Sequence, residues 1–423
     1  MSIDTFLLSS NTTDLNYPEV RPTLDLNFAR VKALDPRITF TRASGGSYVG
    51  ADGLIKYAGV NEPRFDHDPV TGESLGLLVE EARTNVQLYS EQFGAWANGT
   101  TLTVTANAGT SPSGTTTAYK IIPRVVSGNH YLTYYTTRGS GTFSFSVYAK
   151  ASGYPRLGLR VYDGTAYQIR VTFDLSAGTV VLLESGTASI TPVGNGWYRC
   201  SGTGTSASGN MGNIAGWVIE SLPSTATVQG GFTGDGTSGA LLWGAQVEVG
   251  AFPTSYIPTS GSTATRAADV ANMTGTNFSS WYNQSQGTIF TSVRTVTPAS
   301  VANGFLQLTD GTTSNRIEIQ QSGSGDAFPR VQGLYRYLNS TTASFLNEET
   351  GWIPNGATVD NWAFGFNSLG FTFQTKFDTT PSTGSGTFPQ NLTNFSIGHN
   401  GTIARLAYYP VRLPDAQLQV LTR

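Results

Sequence analysis

The sequence predicts an all-β protein, and three observations lead to that class. Only 13% of the 423 residues are charged, whereas about 25% is usual in soluble proteins. Glycine is abundant at 49 residues, as expected of a chain with many tight turns. Residues 142–148, 156–162 and 168–173 alternate apolar and polar side chains at period two. Such alternation is typical of antiparallel strands with one solvated face, and it predicts β-sandwiches.

The composition also limits the classes of function. The net charge is -3 and no basic stripe occurs, so nucleic-acid binding is not expected. No apolar run approaches the ~20 residues of a membrane helix, and residues 1–10 lack the basic region of a secretory signal. Cys200 is the lone cysteine, so we expect a buried, small apolar side chain and synthesis in a reducing compartment.

The N-terminal part of the chain differs in character from the β-rich bulk. Residues 1–94 show short extended segments among many turn residues, and we expect this module to pack against sister chains or another protein. Residues 95–250 carry strands at the spacing of a β-sandwich. Within them, Asp163-Gly164 separates two alternating segments and predicts a hairpin turn, because glycine tolerates a positive φ.

The second half predicts a further sandwich. Residues 251–267 are rich in Pro, Thr, Ser and Gly, which is typical of a linker. Residues 268–423 again contain alternating segments, from residues 287–293 to residues 403–409. A short helix is expected after Pro414, where a proline at the helix start costs little.

The densest group of charges lies in residues 76–85, GLLVEEARTN. Glu80 and Glu81 are adjacent, so on a strand they point to opposite faces and cannot form the facing pair of a glycosidase. Arginines are available as bidentate partners. The pattern therefore predicts a structural or interface salt-bridge network, with catalysis and metal binding as the alternatives. The residues predicted to serve as an anchor or interface are Arg64, Asp66, Glu80, Glu81, Arg83 and Asn85.

No catalytic signature stands out. The three histidines, His67, His130 and His399, are scattered and lack zinc-ligand spacing. No G-x-S-x-G nucleophile elbow precedes a helix. Residues 234–239 are glycine-rich but lack the lysine and helix of a phosphate loop, so a turn is expected. We therefore predict a protein that is not an enzyme.

Several of these motifs resemble those of one known family. Three segments resemble the N-terminal module of tailed-phage head-spike and fibre proteins: residues 39–44 (TFTRAS), 61–66 (NEPRFD) and 76–85. Four more are similar to the jelly-roll domain of that family, a fold shared with carbohydrate-binding modules: residues 196–200 (GWYRC), 243–248 (WGAQVE), 255–259 (SYIPT) and 265–269 (TRAAD). Residues 287–290 and 407–413 resemble a concanavalin A-like or laminin-G-like sandwich.

The resemblance implies a bacteriophage virion structural protein, a head spike or fibre, made in the host cytoplasm and displayed on the virion surface. Residues 1–94 would anchor it to other virion proteins, such as capsid, collar or tail proteins. The two sandwiches would bind host surface polysaccharide, and a homotrimer is expected. Neither nucleic-acid binding nor membrane insertion is implied. The alternatives are a capsid decoration protein without receptor binding and a capsule depolymerase, whose repeating β-helix pattern is absent here.

Glycan recognition would require exposed aromatic rings, which stack on sugars. Candidates in residues 95–250 are Tyr131, Tyr134 and Tyr135, and candidates in residues 268–423 are Trp281, Tyr335 and Trp352. Trp197 and Trp243 are assigned instead to the jelly-roll core. No cofactor is expected except structural calcium, which jelly rolls of this kind often hold. Asp235 and Glu248 are the candidate ligands, although calcium takes about six to eight oxygens.

Overall fold

The computed structural model confirms the all-β class, with antiparallel sheets throughout and three short helices among the described residues. It describes residues 17–97, 101–135, 140–206, 216–295, 303–312, 314–321, 330–339, 342–343, 350–352, 360–375, 380–384, 389–398 and 400–423. Within these ranges no helix is long and apolar enough to cross a lipid bilayer.

The chain forms two compact units whose boundaries differ from the predicted ones. Unit 1 consists of Met1–Thr41, Leu75–Glu80 and Asp269–Arg423, and unit 2 consists of Arg42–Ser74 and Glu81–Ala268. The first 94 residues are therefore shared between the two units. The physical reason is strand pairing, because the short strands of this segment find partners far along the chain.

Within its described residues, unit 2 contains eighteen strands and one 3-10 turn, Phe93–Ala95. The strands are β3 (Gly46–Val49), β4 (Ile55–Ala58), β5 (Arg64–His67), β7 (Arg83–Asn85), β8 (Leu102–Gly109), β9 (Ala118–Pro123), β10 (Ser127–Gly128), β11 (Tyr131–Tyr135), β12 (Gly141–Ser152), β13 (Arg156–Tyr162), β14 (Tyr167–Asp174), β15 (Thr179–Ser185), β16 (Thr187–Pro192), β17 (Tyr198–Ser206), β18 (Gly216–Leu222), β19 (Phe232–Thr233), β20 (Gly239–Val249) and β21 (Ala264–Arg266).

Two of the sheets in unit 2 form a sandwich. One has five strands in the order β11-β18-β13-β14-β15, and the other has six in the order β16-β17-β12-β20-β9-β8. Their facing side chains form a single buried cluster, to which Phe145 and Val247 contribute from one sheet and Leu159 and Val171 from the other. Cys200 belongs to this cluster, as predicted, and burial raises the pKa of its thiol. Residues that alternate along the sequence therefore lie on opposite faces of each sheet, with the apolar ones facing the core.

The predicted hairpin is present between β13 and β14, which pair antiparallel around residues 163–166. Gly164 has a φ of 92°, a backbone conformation that is unfavourable for residues with a side chain. Trp197 and Trp243 are buried, as predicted, but they pack with Tyr148 and Tyr256 in a second, smaller cluster. Both tryptophans are therefore core residues, but they belong to a separate cluster from the one between the two sheets, and the sequence did not indicate that there are two.

Residues 251–267 are packed rather than extended as a linker. Phe252, Tyr256 and Ile257 are each at most 5% exposed, and β21 pairs with β7 within unit 2. The Pro, Thr and Ser residues that predicted a linker make turns and buried hydrogen bonds instead. For example, the Thr259 backbone N–H donates to the Ser90 Oγ at 2.8 Å.

Unit 1 contains the remaining strands and the three helices. The strands are β1 (Leu24–Asn27), β2 (Thr39–Thr41), β6 (Ser74–Val79), β22 (Val270–Thr274), β23 (Gly287–Thr295), β24 (Asn303–Thr309), β25 (Asn315–Gln321), β26 (Arg330–Asn339), β27 (Thr342–Ala343), β28 (Thr350–Trp352), β29 (Asp360–Asn367), β30 (Gly370–Thr375), β31 (Ser382–Gly384), β32 (Asn394–Ile397) and β33 (Gly401–Tyr409). The helices are α1 (Phe28–Val31), α2 (Thr276–Ser279) and α3 (Asp415–Thr422).

Two sheets also dominate unit 1. One runs β31-β30-β29-β23-β33-β6, with β1 paired to β33, and the other runs β2-β22-β32-β24-β25-β26-β27, with β28 paired to β26. Thus β1, β2 and β6, from the start of the chain, complete sheets built from its end. The predicted C-terminal helix is present as α3, which buries Leu418 against Ala363 and Ala407.

Candidate functional site

The outer face of the five-stranded sheet carries a row of polar and aromatic side chains. Leu132, Leu159, Val171 and Ile219 point into the sandwich core, so their sequence neighbours point outward. Strand register aligns Tyr131 with Glu220 and Arg160 with Arg170. We call this row, completed by Glu184, the polar band; its members are Tyr131, Arg160, Arg170, Glu184 and Glu220.

The centre of the polar band is a buried ion pair. The Arg160 Nη2 lies 2.8 Å from the Glu220 Oε1, and the two side chains are 9% and 2% exposed. The other carboxylate oxygen of Glu220 accepts the Gln229 backbone N–H at 3.0 Å. Burial raises the pKa of the Glu220 carboxyl, and the Arg160 charge offsets only part of that effect. Both groups are therefore held in fixed positions beneath the surface.

Tyr131 covers this ion pair. The Arg160 guanidinium carbon lies 5.6 Å from the centroid of the Tyr131 ring, within cation–π range. Tyr131 is 40% exposed and Tyr135, on the same face of β11, is 58% exposed. Arg160 and Glu220 thus act as positioning residues for an aromatic ring that remains open to solvent.

The opposite end of the polar band repeats the arrangement closer to solvent. The Arg170 Nε lies 2.8 Å from the Glu184 Oε2, with side-chain exposures of 27% and 34%. The Arg170 guanidinium carbon lies 5.5 Å from the ring centroid of Tyr167. Each arginine of the polar band is therefore matched with one glutamate and one tyrosine.

A loop closes one side of this face. The Val228 backbone N–H donates to the Thr172 Oγ1 at 3.0 Å, and the Arg156 Nη1 donates to the Ala226 carbonyl at 3.0 Å. A Cβ at Gly158 would lie 3.1–3.3 Å from side-chain atoms of Val228 and Glu220, so glycine eases the close approach of the loop. The loop leaves the β11 side, with Tyr131 and Tyr135, open.

The predicted glycan-binding residues separate into three groups. Tyr131 and Tyr135 are exposed together, whereas Tyr134 points to the other face and packs against Tyr89 and Trp96. This placement is a correction to the prediction for Tyr134, and it follows from strand alternation.

Among the described residues of unit 1, none of the other three candidates offers an exposed aromatic ring. Trp281 is 4% exposed and contacts Phe395 in one sheet and Tyr408 in the other, so it is a core residue. The backbones of Tyr335 and Trp352 lie in β26 and β28, but their side chains lie outside the described part of the structure.

The charged members of the polar band were not predicted from the sequence. Arg160 and Arg170 stand at outward positions of segments whose alternation was recognised, so their face was predictable. Their partners were not, because Glu220 is 60 residues away from Arg160 and becomes its neighbour only through the pairing of β13 with β18.

Three of the residues predicted as an anchor or interface, Arg64, Glu80 and Asn85, are buried. Arg64 and Asn85 are each 0% exposed. The Arg64 Nη1 donates to the Ser47 carbonyl and the Ser255 Oγ, both at 2.9 Å. The Asn85 side chain bonds to the backbone of Ala245, Val247, Ile257 and Gln87. Neither side chain is therefore exposed to a partner, and both have the structural role that was one of the two predicted alternatives.

The motif segments instead supply a cluster of buried arginines in unit 2. We call Arg42, Arg64 and Arg266 the arginine cluster; each is at most 1% exposed. The Ser255 Oγ accepts from Arg64 and from Arg266, in both cases at 2.9 Å. Arg42 donates to the Ser44 and Gly59 carbonyls. These hydrogen bonds give the motif an architectural role within the unit.

The remaining charged residues of the motif are also engaged. The Arg83 Nε donates to the Glu81 Oε1 at 2.6 Å, and its guanidinium lies 4.8 Å from the centroid of Phe252. The Val49 backbone N–H donates to the Asp66 Oδ1 at 2.6 Å. Glu80 belongs to unit 1, where its backbone N–H donates to the Asp269 Oδ2 at 2.8 Å. The adjacent glutamates thus serve different units.

The two candidate calcium ligands have protein partners. Glu248 is 0% exposed, and its carboxylate accepts from the Gln246 side chain at 2.7 Å and from the Thr254 backbone N–H at 2.9 Å. Asp235 accepts the Thr237 and Ser238 N–H groups in a turn, and the hydrogen bond from the Ser238 hydroxyl together with these two lowers its pKa to about 2. Among the described residues, no group of three or more His, Cys, Asp or Glu side chains could hold a metal ion.

Comparisons with known proteins identify no family for this chain. No protein-family model matches the sequence, and no curated protein matches it. Among solved structures, a Trypanosoma rangeli sialidase in complex with sialic acid is similar at 11% identity and a TM-score of 0.25, over 71% of this chain and 60% of that chain. So low a TM-score supports no argument about fold or function.

Proposed function

We propose that this chain is a non-enzymatic surface protein of a tailed-phage particle that adheres to host-surface glycan through the polar band and the neighbouring Tyr135. The observation that carries the adhesive role is the pair of exposed rings, Tyr131 and Tyr135, on one face of β11. Aromatic faces offer large apolar contact at little entropic cost, which suits the C–H faces of sugars. The family resemblance of the sequence motifs supports the virion location.

The geometry around Tyr131 favours a ligand-binding role over packing alone. Tyr131 is held by Arg160 from below and stays 40% exposed, so a fixed ring face is available to a ligand. Fixed side chains lower the entropic cost of binding, because less freedom is lost when a ligand arrives. Such a shallow site binds weakly, and several copies in one particle, such as the homotrimer we propose, would raise its avidity.

Adsorption competition tests this proposal. Purified virions should contain the chain by mass spectrometry, and soluble folded chain should reduce adsorption of those particles to host cells in a dose-dependent way. Heat-unfolded chain serves as the control and should have no effect. A chain that is present in virions and never competes would favour the decoration role instead.

Release of reducing ends from host polysaccharide separates adhesion from depolymerisation. We expect none above the buffer control, because the described carboxylates near the polar band are paired with arginines. Sustained release that a carboxylate-to-amide substitution abolishes would contradict the non-enzymatic proposal.

A further inference from the structure

We infer that the polar band selects neutral saccharides and discriminates against acidic ones, an inference that rests on the proposed glycan binding. Its basis is the charge balance of the face. Arg160 is paired with Glu220 and Arg170 with Glu184. Arg156, at the edge of the face, donates to the Ala226 carbonyl and lies opposite Asp174 in the pairing of β13 with β14. Each cation is thus matched by a carboxylate.

An acidic sugar would have to compete for these arginines. Proteins recognise carboxylates and phosphates with arginine forks whose donors are available to the ligand. To reach Arg160, an acid would displace Glu220 and leave a buried carboxylate without its partner, which is strongly unfavourable. At the more exposed end, the acid would approach Glu184 and be repelled by it.

A neutral saccharide meets none of these costs. Hydroxyl groups both donate and accept hydrogen bonds, so at the partly exposed Arg170–Glu184 end they can bond to the carboxylate and the guanidinium without breaking the ion pair. Tyr131 and Tyr135 stand four positions apart on one strand, which separates them by ~13 Å at the usual strand rise. That separation suits an extended oligosaccharide that contacts both rings, and it exceeds the reach of a single sugar ring.

Matched saccharide pairs test the selectivity with the full-length chain. Each neutral oligosaccharide is compared with the same oligosaccharide carrying a uronic acid, sialic acid or sulfate, at salt concentrations from about 50 to about 500 mM. We expect binding of neutral members, with affinity changing by less than about twofold over this range because no net charge is neutralised. Stronger binding of acidic members, weakening steeply with salt, would overturn the inference and leave glycan adhesion intact. Absence of binding to every saccharide would overturn the proposed function itself.

The Glu184→Gln variant provides a second readout. The substitution removes the carboxylate partner of Arg170 and leaves the buried Arg160–Glu220 pair in place. Because the Glu184 side chain is partly exposed, we expect the variant to fold. We expect affinity for acidic members to rise roughly fivefold or more, since a freed guanidinium becomes available. Circular dichroism confirms that the variant is folded. Unchanged discrimination in a folded Glu184→Gln chain would contradict the charge-balance argument.

Discussion

At the scale of single residues, Asp163 shows how much one carboxylate can organise. Its Oδ1 accepts from the Thr165 and Ala166 backbone N–H groups, both at 2.9 Å, and its Oδ2 accepts from Gln168 and Ser206, also at 2.9 Å. Burial raises the pKa of the carboxyl, but these hydrogen bonds together bring it well below its usual value. The sequence predicted the turn at this position; the bond to Ser206 depends on folding and was not predictable.

We expect Asp163→Asn to destabilise the protein at neutral pH by about 1–3 kcal/mol, because an amide cannot accept all of these bonds. The folded pKa is depressed, so the stabilisation is present above the unfolded pKa of about 3.9 and is lost as the pH falls through the folded value. Urea unfolding of both proteins between pH 7 and pH 2 measures the difference.

Asp235→Asn is the matched control, because that carboxylate makes a similar turn at an exposed position. It should change stability less than Asp163→Asn does. A difference between wild type and Asp163→Asn that stays constant down to pH 2 would sink the assignment to a charged, hydrogen-bonded carboxylate.

At the scale of elements, pairing between distant strands decides what the sequence could and could not predict. Strands such as β13, β14 and β23 were predicted because alternation is local. The pairing of β1 with β33 joins Leu24 to Tyr408, and no local pattern encodes such a partner. Likewise, Tyr131 and Tyr135 could be proposed as glycan-binding residues from the sequence alone. The ion pair beneath Tyr131 could not be predicted, because it depends on how β13 pairs with β18.

Gly76 offers a test of the pairing between β6 and β33. It has a φ of 92°, and a Cβ there would lie 2.7 Å from the Ala404 Cα and closer still to the Ile403 carbonyl oxygen. We expect Gly76→Ala to lower stability by about 2–4 kcal/mol, since both backbone strain and a clash with main-chain atoms arise. Thermal unfolding followed by circular dichroism measures it.

Gly275→Ala provides the control in the same unit. Gly275 also has a positive φ, 56°, but nothing lies within 4 Å of an added Cβ. Its cost should be limited to backbone strain, of order 1 kcal/mol. Equal losses for the two variants would show that the close approach of β6 to β33 is not what requires glycine at position 76.

At the scale of the whole molecule, the chain is divided into two units built from non-contiguous segments, and not into three modules that follow one another along the sequence. Unit 1 draws on Met1–Thr41 and Leu75–Glu80 as well as the C-terminal third, whereas both parts of unit 2 lie between Arg42 and Ala268. Composition suggested boundaries near residues 94 and 250 because it reports local character. Membership of a sheet is set by pairing, which composition does not record.

We expect the fragment 42–268 to fold and the fragment 268–423 not to. The second fragment lacks β1 and β6, so one edge of β33 loses its partners, and exposed strand edges promote aggregation. Cooperative thermal unfolding and gel filtration of both fragments measure this. A monomeric 268–423 fragment that unfolds as cooperatively as the full chain would contradict the unit boundaries.

We propose that Tyr131 and Tyr135 form the contact surface for glycan, and titration calorimetry measures their contribution to the affinity. The ligand is the saccharide that binds the wild-type chain best on a glycan array, and the variants are the double change Tyr131→Ala with Tyr135→Ala and, as control, Tyr57→Ala. Tyr57 is 50% exposed in the same unit but lies on β4, outside the polar band. We predict that the double variant loses at least about tenfold in affinity, or about 1.4 kcal/mol, while Tyr57→Ala binds as wild type does. Wild-type affinity in a folded double variant would contradict the claim.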